Sequence, residues 1–445
     1  MKIVLLNITN KSKPGSMDKD LAGGLGTYSY LGTSFFSRIL AVMKKRLIKI
    51  PVLAFANLQS ILKTKGHSVE YLEGESLSNH YDLAVVNGSI IDYHHEVAVC
   101  KKIKNQYPGT KVIVFGSFPS ARPDLFDAAD SVIVGDELFF FLNEFVGLEN
   151  LPKVIRAQGK VNLNDLTTPD FTGFPINEFS YSPALAQKPF VTLQASQGCP
   201  YTCGYYCPYG TFQGPQFRPR SPEKLVEDIK TLVLKYKIQA IQFRDPVFGL
   251  NRADLEKFCV LLIEQNLGVK FGMETRLDIM DKGIINLMFA AGLRNINIGV
   301  ETRNSNVAML NKRKLVPENH QEEIIAYCEK IGVKISAFYI LGLQGDTEES
   351  INNTIDYAIK LNTQMARFSV STPYPGTKFH EELKSKNLIL EDDFEKYNTS
   401  DLVWKHENLN PEQMNKLQNL AHQKFYLRFG YLFNVIKWRI REFWL

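Results

Sequence analysis

The chain has 445 residues, 44% hydrophobic and 22% charged, which is enough apolar material for large cores divided among two or three domains. Its 52 Lys and Arg against 47 Asp and Glu leave a net charge of only +5, and no RNA- or DNA-reading motif accompanies it, so nucleic acid is not an expected partner. No apolar run reaches the roughly 18 residues of a membrane span. Met1 to Asn10 lacks the length and cleavage site of a signal peptide, and six cysteines are too few for a disulfide scaffold, so a cytoplasmic protein is expected.

In chain order, Lys2 to Leu6 is predicted as the first strand. A glycine-rich loop at Gly23, Gly24 and Gly26 leads to a helix from Pro51 to Lys65, with Gly66 as its stop. Strands follow at Val69–Leu72, Leu83–Asn87, Val112–Phe115 and Ser131–Val134, and Glu96 to Gln106 has the apolar spacing of a helix with one buried face. This alternation predicts an α/β fold: a doubly wound, flavodoxin-like parallel sheet over residues 1–150, with ligands at the carboxyl ends of its strands. Prolines 152, 169, 175, 183 and 189, with little periodicity between them, mark 151–189 as an irregular linker. Residues 190–385 carry strand signals near Val191–Gln194, Ala240–Phe243, Phe271–Glu274, Asn295–Gly299, Lys334–Leu341 and Arg367–Val370, separated by helices. That pattern predicts an open (β/α)6 barrel with its chemistry on the loops after the strands. Residues 386–445 read as helical. Near their end Phe425, Phe429, Phe433, Ile440 and Phe443 interleave with Lys424, Arg428, Lys437, Arg439 and Arg441, a basic amphipathic stretch that Gly430 bends into two shorter helices. Such a stretch packs either on the barrel or on anionic lipid.

Cys199, Cys203 and Cys207 fall on one short loop after the first barrel strand. Three thiolates hold three irons of a cubane cluster and leave the fourth iron open to a substrate. A structural zinc loop competes, but it wants four ligands, and no fourth cysteine or histidine lies nearby. Cys100, Cys259 and Cys328 sit on helical stretches and read as small buried hydrophobes.

The loop and its position resemble the radical S-adenosylmethionine superfamily, although CxxxCxxxC is one residue longer than the family's CxxxCxxC. One added tyrosine, Tyr205 or Tyr206, absorbed as a local bulge, accounts for the difference. The resemblance runs from Val191 to about Glu382 and implies a 4Fe-4S cluster on the three cysteines that reductively cleaves S-adenosylmethionine. It also implies residues around that cofactor: Tyr206 beside the last cysteine, Asp245 toward the amino group, Arg276 toward the carboxylate, and Glu301 toward the ammonium or ribose. Gly342 would let backbone approach the adenine, and Pro373 lies in the closing turn. Structural salt bridges are the alternative role for the charged members of this set.

Ahead of the barrel, the first sheet shows neither GxGxxG after its first strand nor a Walker A lysine. Its strand-end loops carry Asn87, Gly88 and Ser89, then Gly116 and Ser117, then Gly135. The domain order resembles that of cobalamin-dependent radical enzymes, which implies that these loops surround a cobalamin. The DxHxxG motif is missing, so no histidine is expected on the cobalt, and His94 and His95 read as exposed helix-start residues. The resemblance implies radical functionalisation of an unactivated carbon in a small-molecule substrate, with methylcobalamin delivering a methyl group and an electron donor such as flavodoxin or ferredoxin. Cyclisation or rearrangement without methyl transfer is the alternative reaction, and a non-catalytic cobalamin-binding or sensory protein is the alternative class. No catalytic residue is identified beyond the cofactor ligands.

Overall fold

The computed structural model describes residues 1–10, 12–13, 17–28 and 34–442. Its first layer is a parallel sheet of β1 (Lys2–Asn7), β2 (Ser68–Glu73), β3 (Leu83–Asn87), β4 (Lys111–Phe115), β5 (Ser131–Val134) and β6 (Val154–Arg156), in the order β2-β1-β3-β4-β5-β6. Strands β1 and β3 are nearly continuous apolar runs because helices cover both faces, as parallel sheets require. The strand order reverses between β1 and β3, and this opens a crevice at the carboxyl ends where Asn7 and Asn87 stand.

Two features of this region depart from the sequence reading. Strand β6 lies inside the segment expected to be an irregular linker and pairs in parallel with β5, Val132 opposite Val154. Three residues beside Pro152 are too short a run to show a period of two. A helix over Phe35–Leu47 was also not anticipated; the strand after it, Ile48–Lys49, pairs antiparallel with Ser180–Tyr181 and ties the early chain to the segment entering the barrel.

The second layer is a sheet of six parallel strands in sequential order: β7 (Phe190–Leu193), β8 (Ala240–Phe243), β9 (Lys270–Thr275), β10 (Leu293–Glu301), β11 (Lys334–Leu341) and β12 (Met365–Val370). β7 and β12 do not pair, so the barrel is open as predicted. Residues 386–410, expected to be helical, hold only one turn at Phe394–Lys396 and an isolated bridge between Ile389 and Trp404, with Trp404 buried. The helix Pro411–Tyr426 packs on β12: Phe425 is fully buried, Gln418 donates to the Phe368 carbonyl at 2.9 Å, and Tyr426 donates to the Ala366 carbonyl at 2.7 Å. A second helix, Phe429–Glu442, begins after a break at Leu427 and Arg428, so the chain divides just before Gly430 rather than at it. Phe429 and Phe433 are 91% and 71% exposed, and Phe443 lies outside the described residues. Among the described residues no helix is long and apolar enough to cross a membrane.

Candidate active site

The cysteine loop leaves β7 through the short pair Ser196–Gln197 with Arg218–Pro219. Gly198, at φ +84°, passes so close to the Gln216 carbonyl that any Cβ would collide with it, so only glycine fits. The extra residue between the second and third cysteines does not form a bulge. Thr202–Tyr205 is a helical turn, and the Cys207 amide donates to the Cys203 carbonyl at 2.9 Å, the i to i+4 spacing of one turn. Tyr205 fixes that turn: its hydroxyl donates to Glu382 at 2.7 Å and Lys312 lies 4.3 Å over its ring. All three thiols are free; Cys203 is buried and the other two half-buried.

Cys203 and Cys207 line a cavity of about 220 Å³ with Tyr206, Glu301, Arg313, Arg367 and the ends of β11 and β12. Arg313 had no signal in the sequence beyond a short basic run. Its guanidinium lies 3.7 Å from Cys203 Sγ, donates to the Gly299 carbonyl at 2.7 Å and stands 3.5 Å from Glu301. Burial opposes the charge of Arg313, but Glu301 and the neighbouring thiol outweigh it and hold the group protonated. Glu301 sits at φ +68°, beside a register shift in β10, a conformation that costs a non-glycine residue about 1–3 kcal/mol and is kept where surrounding contacts demand it. Burial, and then the neighbouring Cys203, pushes the Cys207 thiol well up, so a thiolate here needs a bound cation.

These residues fit an open cubane cluster. The donor set is three free sulfurs on one loop, the number that would leave one iron of a cubane open. The Tyr206 hydroxyl is buried in the cavity without a hydrogen-bond partner, a polar atom left for a ligand.

Of the other residues named for S-adenosylmethionine, the structure turns several elsewhere. Asp245 is fully buried and accepts from the Ala195 amide at 3.0 Å and Ser196 Oγ at 2.6 Å, tying the root of the cysteine loop to β8; it borders a separate small cleft. Burial pushes its carboxyl up to about 7. Arg276 makes a two-pronged pair with Asp278, both bonds 2.9 Å, and lies 4.5 Å over the Tyr201 ring, as the salt-bridge alternative has it. Gly342 faces the C-terminal helix, where a Cβ would lie 2.5 Å from Met414 Cε. Pro373 sits between Thr372 and Tyr374, which do line the cavity.

A larger cavity, about 490 Å³, lies between the carboxyl ends of the first sheet and the barrel. Asn87, Gly116, Ser117 and Gly135 line it, joined by Gly23, Gly24, Ser120 and Glu137 on the sheet side and by Gln194, Gln197 and Arg244 on the barrel side. Gly116, at φ +124°, is a tight point, since a Cβ there would lie 2.9 Å from the Gly88 carbonyl oxygen. Asn87 Oδ1 is buried without a partner, so this cradle of small residues also leaves a polar atom for a ligand. Gly88 and Ser89 face inward. Gly88 packs on Pro119 and Phe126, and Ser89 gives its amide and hydroxyl to Glu96, each at 2.7 Å, in a buried network completed by Lys19. The segment Leu21–Thr27 walls both cavities, and Gly23 rests directly on Pro208 of the cysteine loop.

The radical SAM superfamily model matches residues 193–358. An uncharacterized methyltransferase of Pyrococcus horikoshii is 26% identical over 60% of this chain and 57% of its own length. The anaerobic magnesium-protoporphyrin IX monomethyl ester cyclase of Rubrivivax gelatinosus is 29% identical over 55% of this chain and 44% of its own length. The chain thus spans about half the length of these curated relatives. Among solved structures, the radical S-adenosylmethionine methyltransferase TsrM from Kitasatospora setae, with cobalamin and a [4Fe-4S] cluster bound, superimposes with a TM-score of 0.62 at 15% identity, covering 87% of this chain and 78% of that one. With its cysteine loop at the mouth of a six-stranded barrel, the segment 193–358 thus matches the radical SAM superfamily model, and the chain as a whole, with a sheet domain ahead of that barrel, shares the fold of TsrM.

Proposed function

We propose that this chain is a radical enzyme that holds a 4Fe-4S cluster on Cys199, Cys203 and Cys207, binds S-adenosylmethionine beside it and a cobalamin between the two domains, and methylates an unactivated carbon of a small molecule. The observation that carries this reading is the shared wall Leu21–Thr27, which sets the thiol cavity against the interdomain cavity. When bound, the cluster supplies an electron and an open iron, and cobalamin supplies a methyl carrier. Arg313 balances the negative charge that three thiolates gather, Glu301 holds Arg313 in place, and Tyr206 offers its free hydroxyl. Asn87, Gly116, Ser117 and Gly135 would hold the cobalamin, and the buried walls of both cavities would keep water from a reactive radical. The Rubrivivax relative, named a cyclase, supports a second reading in which the same residues serve a ring closure without methyl transfer.

The protein is proposed to work in the cytoplasm with flavodoxin or ferredoxin as electron donor. A peripheral membrane contact is supported by Phe429 and Phe433, and by the helix Phe35–Leu47, which exposes Phe35, Ile39, Val42 and Met43 beside Arg38, Lys45 and Arg46. Binding to anionic vesicles that salt abolishes is the expected result; indifference to vesicles at low salt removes the membrane contact.

Anaerobic reconstitution with iron and sulfide, then strong reductant and S-adenosylmethionine, tests the central reading. Formation of 5′-deoxyadenosine is expected. An iron-loaded protein that makes none is a binding or sensory protein instead. Comparison by mass of extracts from cells with and without the protein separates the two reactions: gain of a methyl group marks transfer, and loss of two hydrogens marks ring closure.

A further inference from the structure

The barrel lumen has two unlike walls. On β12 the side chains of Met365, Arg367 and Ser369 alternate with the buried Ala366, Phe368 and Val370, so Arg367 faces inward, into the thiol cavity. Other arginines around the lumen are neutralised: Arg244 by Asp18 at 3.2 Å and Glu274 at 3.0 Å, Arg313 by Glu301, and Arg276 by Asp278. Arg367 makes no ion pair among the described residues. Its guanidinium donates to Thr399 Oγ1 at 3.1 Å, and Thr399 is itself held at φ +69°. The wall beside it is apolar, built from Phe338 and Ile340 of β11.

A guanidinium in such surroundings without a carboxylate is costly to the fold and is retained where a ligand supplies the missing charge. The groups around Arg367 offer it no free carboxylate. His422 is fully buried with Nε2 unpartnered, and burial, with Arg367 and Lys44 adding to it, holds its pKa down to about 4. Burial and Arg367 likewise lower Lys44, on the helix Phe35–Leu47. Asp18, the acid that faces this group, is engaged by Arg244 through both oxygens.

We infer that Arg367 anchors an anionic group of the substrate, a carboxylate or a phosphate monoester, while Phe338 and Ile340 receive an apolar body, so that the substrate is an apolar acid. The inference rests on the proposed function and adds to it that the substrate enters this cavity beside the cluster and S-adenosylmethionine. A planar guanidinium meets either anion through two parallel hydrogen bonds, and Thr399 orients the fork.

Calorimetric titration of the full chain with 3-phenylpropionate, 3-phenylpropanamide and phenyl phosphate tests it. One of the two anions should bind, and which one does identifies the group. The neutral amide should bind at least about tenfold more weakly, and Arg367→Gln should cost the anion about tenfold while leaving the amide unchanged. Thr399→Val, which keeps the charge and loses only the orienting hydroxyl, should cost the anion a few-fold and serves if Arg367→Gln fails to fold. Equal binding of acid and amide, or undiminished binding of the anion by the Arg367 variant, overturns the inference. Loss of S-adenosylmethionine binding in place of anion binding overturns it as well, because Arg367 would then belong to the cofactor. The titration needs neither iron nor turnover. A chain that makes deoxyadenosine yet binds acid and amide alike refutes only the anchor; one that prefers the acid yet makes no deoxyadenosine refutes only the proposed chemistry.

Discussion

The cavities at the two sets of strand ends differ in size and in chemistry. The strand ends of the first sheet and the loops beside them bring Gly24, Gly116, Gly135, Ser117 and Ser120 to a wide cavity that also holds charges of both signs, among them Asp20, Asp136, Glu137, Lys160 and Arg244. The strand ends of the barrel carry thiols, Glu301, Arg313 and Arg367 around a smaller one. The difference teaches what each cavity is built to receive. Glycine and serine let backbone approach a broad ligand across the wide cavity, whereas the buried thiols of the smaller one need a bound cation to carry charge.

The strongest way to break this contrast is on the barrel side. Cys199→Ala, Cys203→Ala and Cys207→Ala should each abolish the iron content and brown colour of reconstituted protein and its deoxyadenosine formation. Cys100→Ala, Cys259→Ala and Cys328→Ala, all buried in apolar surroundings, should keep the iron and cost only about 1 kcal/mol of packing. Iron measured per chain decides, and an outer cysteine that proves essential would refute the assignment. Because Tyr205 is anchored to Glu382, deleting it to recover the family's spacing should also remove the iron. A shortened loop that keeps iron would show that the turn is dispensable.

On the sheet side, Ala121→Trp places bulk into the wide cavity from a short helix without straining the backbone. It should prevent cobalamin loading, read from the visible spectrum, while iron content stays at the level of the unaltered protein. Loss of both together would show that the cavities are not independent sites.

The two C-terminal helices repeat the contrast in stability. Phe425→Ala empties a fully buried site and should cost about 3–5 kcal/mol. Phe429→Ala, at 91% exposure, should stay within about 0.5 kcal/mol. Midpoints of urea unfolding compare them, and equal losses would mean that the second helix is covered by something in solution.

A last effect is one of pH, spread over several pH units. The buried Asp245 carboxyl is raised to about 7 in the fold, so between the ordinary carboxylate pKa and about 7 the native state binds the extra proton. Stability from this group is therefore present at the acid end and is lost as pH rises through that window, by at most about 1.4 kcal/mol per pH unit. Asp245→Asn should flatten that part of the stability profile relative to the unaltered chain. Parallel profiles would show that Asp245 ionises freely in the fold.

Much of the architecture was legible because parallel strands buried on both faces must be apolar runs, and because a helix ends where Gly66 can take positive φ. Local sequence therefore marked β3, β5, β8 and β11 with their observed ends. It also marked the three cysteines, since three thiols confined to one loop depend on nothing far away. Other readings failed for the opposite reason. Arg276 pairs with Asp278 rather than facing the cavity, Gly342 is demanded by Met414, 72 residues downstream, and Ser89 serves a buried ion pair with Lys19. Arg313 and Arg367 acquire meaning only where β10, β11 and β12 bring them beside Cys203 and Thr399. Periodicity and spacing report a residue's own neighbours along the chain. Whether a charged side chain meets a partner or an empty cavity depends on contacts made across a hundred residues or more, and those only the folded barrel decides.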